Sequence, residues 1–203
     1  HYEVTGHAIE EAFRLAKNPD GRLAAYISAT GSAGTIAAGD YLRTVFPHIK
    51  VVASEALQCP TLLRNGFGGH RIEGIGDKHV PWIHNVRNTD VVTAIDDEDC
   101  MRLLRLFNEK EGHDYLASRG VDPVLIGMLP LIGISGIGNI LSAIKTARYF
   151  EFTSSDHLVT LATDSAGMYR SRLEELTAER GPYNPMQAAR DHEKCMLGTA
   201  SCD

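Results

Sequence analysis

Apolar and polar positions along this chain follow two periods, and the periods alternate. Ile9, Phe13 and Ala16 recur at helical spacing within residues 5–17, and Asn18-Pro-Asp-Gly21 then breaks the run. Leu23 to Ser28 is continuously apolar over the length of a buried strand. Thr35 to Phe46 returns to the helical period and is stopped by Pro47. Ile49 to Ala53, Val91 to Ile95 and Leu158 to Thr163 read as three further strands. Asp96-Asp-Glu-Asp99 supplies an acidic first turn, which suits the positive end of a helix dipole. Cys100, Leu103, Leu104 and Phe107 form the apolar stripe of the helix that follows. Gly136 to Phe150 repeats the pattern with Ile137, Ile140, Leu141 and Ile144. Asn184-Pro185 has the form of an N-cap followed by proline at the first helical position, and opens a last helix to about Cys195. Residues 56–88 are rich in Gly and Pro and carry neither period.

Strands that are apolar throughout must be covered on both faces, and strands that alternate with helices pair in parallel. The expected fold is α/β: a doubly wound, mostly parallel sheet with helices on both faces. Residues 1–203 read as a single α/β unit. The stretch 113–132 reads as an insertion and 171–203 as a helical tail. In sheets of this kind ligands sit beyond the carboxyl ends of the strands. The loop after the first strand therefore draws attention first.

That loop is Gly31-Ser-Ala-Gly-Thr35, between an apolar strand and a helix. Glycines let the main chain approach a phosphate closely, and N–H groups at a helix start face negative charge favourably. Ser32 and Thr35 add hydroxyl donors. No Gly-Lys-Ser/Thr follows, so this is not a P-loop, and glycines at 31, 34 and 39 do not fit the dinucleotide fingerprint. An ordinary strand-to-helix turn is the competing reading of the loop alone.

Composition narrows the partners. With 203 residues, 43% hydrophobic and 23% charged, the chain has enough material for a sizeable core. A net charge of -6 without a basic stripe argues against nucleic acid. The apolar stretch Val124 to Ile134 is interrupted by Pro130 and is too short to cross a bilayer, so no membrane is expected. Cys59, Cys100, Cys195 and Cys202 lack metal-ligand spacing and read as inert thiols in a reducing cytoplasm, with a Cys195–Cys202 pair as the other reading. No metal site is expected. His70, His79 and His84 crowd the 56–88 loop, where a histidine near the pocket could assist proton transfer.

Five segments, in order, resemble the fold-type II pyridoxal phosphate enzymes, the family of cysteine synthase and cystathionine β-synthase. Thr30-Gly-Ser-Ala-Gly-Thr-Ile36 resembles the family's phosphate loop, and Val51-Val-Ala-Ser-Glu55 its strand ending in an acid. His70-Arg-Ile-Glu-Gly-Ile-Gly76 followed by Pro81, Gly133-Ile-Ser-Gly136, and Leu161-Ala-Thr-Asp-Ser165 with Tyr169 supply the rest. The resemblance implies an enzyme that carries out β-elimination or β-replacement on an amino acid with pyridoxal 5'-phosphate as cofactor. It implies that Gly31, Ser32, Ala33, Gly34 and Thr35 bind the cofactor phosphate and that Ser165 meets the pyridine nitrogen, with Asp164 as competitor. It implies that Gly74, Ile75 and Gly76 line the substrate pocket. A neutral hydroxyl at the ring nitrogen makes a weaker electron sink than a carboxylate, which suits elimination and replacement.

The departures are as informative. In the family the Schiff-base lysine lies well upstream of the phosphate loop, so no catalytic residue is assigned here and the chain alone is expected to be inactive. His1 reads as an internal position of a longer product, and a preceding segment or companion chain is expected to carry the lysine. Lys17, Lys50, Lys110, Lys145 and Lys194 read as solvated, and Lys78, beside the pocket motif, as a surface or substrate-facing charge. Ala33 replaces a family glycine, at little cost if its φ is negative. Gly112 to Leu131 is longer than the family pattern. The resemblance also implies a cytoplasmic homodimer. Two rival readings are a non-catalytic phosphate-ligand or regulatory module on the same fold, and a nucleotide-dependent enzyme on a similar sheet.

Overall fold

The computed structural model describes residues 1–16 and 20–198. The turn at Asn18-Pro19, Lys17 and Cys202 lie outside the described residues. Four strands, β1 (Arg22–Ala29), β2 (Lys50–Ala56), β3 (Val91–Ile95) and β4 (Asp156–Thr160), form one parallel sheet in the order β3-β2-β1-β4. The chain runs outward from β1 through β2 to β3, then crosses back and lays β4 on the other side of β1. The order reverses between β1 and β4, and their carboxyl ends flank a crevice there.

One face of the sheet is covered by α1 (Val4–Ala16) and α2 (Ala38–Val45), where Ile9, Tyr26, Ile36, Leu42 and Val51 share a core. Gly39 is required in α2: a Cβ there would come within 2.8 Å of the Val51 side chain, so glycine lets the helix settle on the sheet. Ala25, Ile27 and Val52 face the other way, towards α7 (Ile134–Tyr149). The register of β1 against β4 shifts between Leu23 and Ala25. That irregularity lets Leu23 and Tyr26 point to the same face despite their odd spacing.

Behind α7 lies a helical layer. It comprises α4 (Asp97–Asn108), α5 (Lys110–Ser118), α6 (Pro123–Met128), α8 (Arg170–Arg180) and α9 (Pro185–His192). The expected caps are present. The Asp96 carboxylate accepts the Glu98 N–H at 3.0 Å, and Asn184 and Gln187 form a reciprocal capping box. Helix α8 carries only Leu173 and Leu176 as large apolar residues, so no apolar stripe announces it. The 113–132 stretch is largely helical, in the end of α5 and in α6, and Leu116, Ile126 and Leu129 join the largest core cluster. In the 171–203 stretch, Leu176, Tyr183, Ala188 and Cys195 join the same cluster. The irregular 56–88 loop holds one short helix, α3 (Thr61–Arg64), capped by the buried Glu55 carboxylate, which accepts the N–H groups of Leu62 and Leu63 at 2.9 and 3.0 Å.

Candidate functional site

The crevice between β1 and β4 is a cavity of about 150 Å3. Gly31 to Thr35 form one wall, Gly74 and Ile75 close it from the 56–88 loop, and Ser135, Asn139, Leu161 and Thr163 line it from α7 and the exit of β4. Residues more than a hundred positions apart meet here because β4 pairs with β1.

The loop is built to leave donors free. Among the described residues, the backbone N–H groups of Gly31 to Thr35 donate to no protein acceptor. Five consecutive unpaired N–H groups beside a cavity are the pattern expected of a site completed by an anion. The loop is held by what surrounds those groups. Thr30 N–H donates to the Ser54 carbonyl at 2.9 Å, the buried Tyr26 hydroxyl donates to the Thr35 carbonyl at 2.7 Å, and the Thr35 and Ser28 hydroxyls pair at 2.8 Å. Burial pushes the Tyr26 phenol well above its ordinary range, so it remains a donor.

Ala33 is buried at φ +62°. The condition for a cheap alanine, a negative φ, is not met, so the loop carries strain of about 1–2 kcal/mol at that residue. The cradle therefore keeps the left-handed turn of a glycine with an alanine in it.

Gly76, at φ +84°, donates its N–H to the Thr30 carbonyl at 2.9 Å and so staples the Gly74–Gly76 turn to the phosphate loop. A Cβ on Gly31 would come within 3.4 Å of the Gly74 carbonyl oxygen and the Ile75 Cα, which keeps this approach close. Gly76 itself backs the cavity and does not line it.

Ser165 is not among the residues lining the cavity. It precedes the 3-10 turn Ala166–Tyr169, while Thr163, two residues earlier, lines the wall and pairs with Ser135 at 3.2 Å. Asp164 is tied through one carboxylate oxygen: its Oδ2 accepts the Tyr169 hydroxyl and its carbonyl accepts the Gly133 N–H, while its buried Oδ1 has no partner. Asn139 is 4% exposed, donates to the Leu161 carbonyl at 3.3 Å, and keeps an Oδ1 without a partner. A buried amide oxygen left unpaired costs about 1–3 kcal/mol, and Asn139 carries that cost beside the cavity. Ser28, Ser135, Asn139 and Thr163 were not singled out from sequence. The Gly133-Ile-Ser-Gly136 turn held the signal for Ser135 and Asn139, since it starts the helix that carries both.

No described lysine lines the cavity. Lys78 is exposed with its Nζ 5.3 Å over the Phe67 ring, Lys145 donates to the Ala94 carbonyl, Lys110 and Lys194 pair with Asp114 and Asp99, and Lys50 stands over the Phe150 ring. Of the loop histidines, His84 is buried and pairs with Thr89 at 2.9 Å, and burial lowers its pKa. His79 and His84 share a smaller recess with Glu55.

No family model matches the chain. It is 27% identical over 166 residues to cysteine synthase B of Campylobacter jejuni, covering 81% of this chain and 48% of that protein. It is 26% identical over 174 residues to the O-acetylserine dependent cystathionine β-synthase of Bacillus subtilis, covering 85% and 48%. The chain spans about half the length of the curated relatives it matches. Among solved structures, O-acetylserine sulfhydrylase isoform 3 of Entamoeba histolytica superposes with a TM-score of 0.69 at 21% identity, over 97% of this chain and 51% of that one. A hydrogen sulfide-producing enzyme of Fusobacterium nucleatum superposes with a TM-score of 0.66 at 22% identity, over 94% and 50%. In sequence the chain is similar to cysteine synthases and to a cystathionine β-synthase, and its fold is that of the cysteine synthase structures.

Proposed function

We propose that this chain is the cofactor-cradling part of a pyridoxal phosphate-dependent enzyme that eliminates or replaces the β substituent of an amino acid. The row of unpaired N–H groups at Gly31 to Thr35, at the switch point of a parallel sheet, carries the proposal. Those groups fit a phosphate in number and placement, and the polar wall opposite, Ser135, Asn139 and Thr163, fits a ring bearing hydrogen-bonding groups.

When bound, the cofactor draws electron density from the α-carbon of the amino acid and so eases departure of the β substituent. The chain's residues do the positioning. Gly31, Ser32, Ala33, Gly34 and Thr35 hold the phosphate, with Ser28 fixing the Thr35 hydroxyl. Gly74 and Ile75 cover the substrate side, and Gly76 anchors that turn to Thr30. Leu161 supplies an apolar part of the wall. Ser165, or Thr163 beside it, would meet the ring nitrogen, Ser165 being the one the resemblance gives. Lys78, beside the pocket motif, lies over the Phe67 ring, which supports a covalent lysine supplied by a segment or chain outside these residues. The cytoplasmic homodimer belongs to the same proposal.

Borohydride reduction of the full-length natural protein, followed by mass mapping, tests it. A pyridoxyl-lysine in a peptide outside residues 1–203 is the expected result. Cofactor bound with no reducible lysine would instead favour the non-catalytic module, and no cofactor at all would overturn the reading. Ser165→Ala and Thr163→Val, compared by the absorbance of the bound cofactor, decide which hydroxyl meets the ring.

A further inference from the structure

A second cavity, of about 80 Å3, opens among α4, α8 and α9, away from the candidate site. It is lined by Arg102, Arg105, Arg180 and Arg190, with Tyr183 and Asp191. Four guanidinium groups around one small space are out of keeping with a chain of net charge -6, because like charges repel unless something holds them. Carboxylates hold three of them. Glu98 accepts both Nη groups of Arg180, at 2.7 and 3.0 Å, and Glu109 accepts the Nε of Arg105. Asp191 accepts the Nη1 of Arg102 at 3.1 Å and the Tyr183 hydroxyl at 2.9 Å. Of these acids only Asp191 lines the cavity, and its oxygens are already engaged.

The arrangement is rigid as well as positive. Arg105 is 2% exposed, donates to the Gly181 carbonyl at 3.0 Å, and lies 4.8 Å from the centre of the Tyr183 ring. Such a stacked, hydrogen-bonded guanidinium has lost its rotamer freedom before any ligand arrives. One guanidinium, that of Arg190, remains open to the cavity. Arg190, in the last turn of α9, has no hydrogen-bond or ion-pair partner among the described residues. The buried Nε of Arg102 has no hydrogen-bond partner either, the Asp99 carboxylate standing 3.8 Å away.

We propose that this cavity is an anion site that takes one tetrahedral oxyanion, phosphate or sulfate. Guanidinium groups match such oxygens with paired N–H donors, and the volume admits a single ion of that size. Arg190 supplies the open donors, and Arg102, Arg105 and Arg180 supply the field. An ion held there ties α8 and α9 to α4, and so fastens the last helices to the main core. The proposal is independent of the cofactor reading.

The test uses the full-length protein saturated with pyridoxal phosphate, so that the phosphate loop is filled. Its melting temperature is followed while sodium sulfate or sodium phosphate is added, against sodium chloride at matched ionic strength. Sulfate and phosphate are expected to raise the melting temperature saturably, as a ligand of the folded state must. Arg190→Gln, a change on the surface, is expected to weaken the apparent affinity ~5-fold or more with cofactor content unchanged. Arg102→Gln, which removes part of the field, is expected to weaken it as well. A response no larger than chloride gives, or one that survives in both variants, overturns the proposal. If the protein takes up no cofactor, the same titration in a Gly34→Asp background removes the loop's own response and keeps the two questions apart.

Discussion

The cavity at the head of the sheet and the helical layer behind α7 leave different polar groups open: consecutive backbone N–H groups at the cavity, single guanidinium nitrogens in the layer. Around the cavity, the N–H groups of Gly31 to Thr35 are unpaired, the Asn139 Oδ1 is buried without a partner, and Ala33 sits in the left-handed region. In the helical layer, α4 buries Cys100, Met101, Leu103, Leu104 and Leu106 completely. Its charged groups are chained together there: Arg71, Arg102 and Arg180 converge on Glu98. The first region keeps strain and open valence, which a folded chain tolerates only where the rest over-determines it. The second supplies that surplus. Stability and ligand binding are therefore separable by mutation.

The sharpest way to break the contrast is from the core side. Leu104→Ala is expected to cost about 2–5 kcal/mol, read as a lower denaturation midpoint, with ligand affinity per folded molecule unchanged. From the cavity side, Gly34→Asp places a carboxylate among the free N–H groups. Gly34 has φ -64°, so the backbone accepts a side chain, and only the exposed His1 ring must give way. Affinity for pyridoxine 5'-phosphate, measured by calorimetry, is expected to fall ~100-fold or more, the size of a like-charge contact near a protein surface, while the melting temperature stays close to wild type.

Asn139→Leu sharpens the comparison further. It removes a buried unpaired oxygen but also the bond to the Leu161 carbonyl. Stability should therefore stay within ~1 kcal/mol, while pyridoxine 5'-phosphate binds several-fold more weakly and inorganic phosphate is unaffected. A structural residue would show the reverse.

The smallest effect is a pH dependence in the helical layer. Burial raises the Glu98 carboxyl, but the hydrogen bonds from Arg180 and Arg71 outweigh it and hold the group below its ordinary value of 4.5. A pKa depressed by folding means stability that is complete above about pH 4.5 and lost as the pH falls through the folded-state value. Glu98→Gln lacks this term, so its melting temperature should approach that of wild type as the pH drops below about 4.5. A constant gap between the two proteins across that range would contradict the assignment.

Much of the fold was legible because its signals are local. The apolar runs of β1 and β2, the acidic first turn of α4 and the Asn184-Pro185 cap each fix structure within a few residues. The tail was expected to be helical, but the bounds of α8 were not legible, since its sequence is polar nearly all round. The Gly31–Thr35 loop could be singled out because its glycines and hydroxyls lie between an apolar strand and a helix. The roles of Ser135, Asn139 and Thr163 could not, since a polar residue in a helix or at a strand exit has many.

By itself the sequence determined the alternation of strand and helix, the parallel sheet and the loop with free N–H groups, because each depends on residues close together along the chain. Only the tertiary structure decided that β4 lies beside β1, and with it which side chains face the loop. Strand order is set by how helices of given length and apolar face cover the sheet, a property of the whole chain. That order brings Thr163 and Asn139 to the cavity and leaves Ser165 off its lining, which no reading of the motif alone could distinguish.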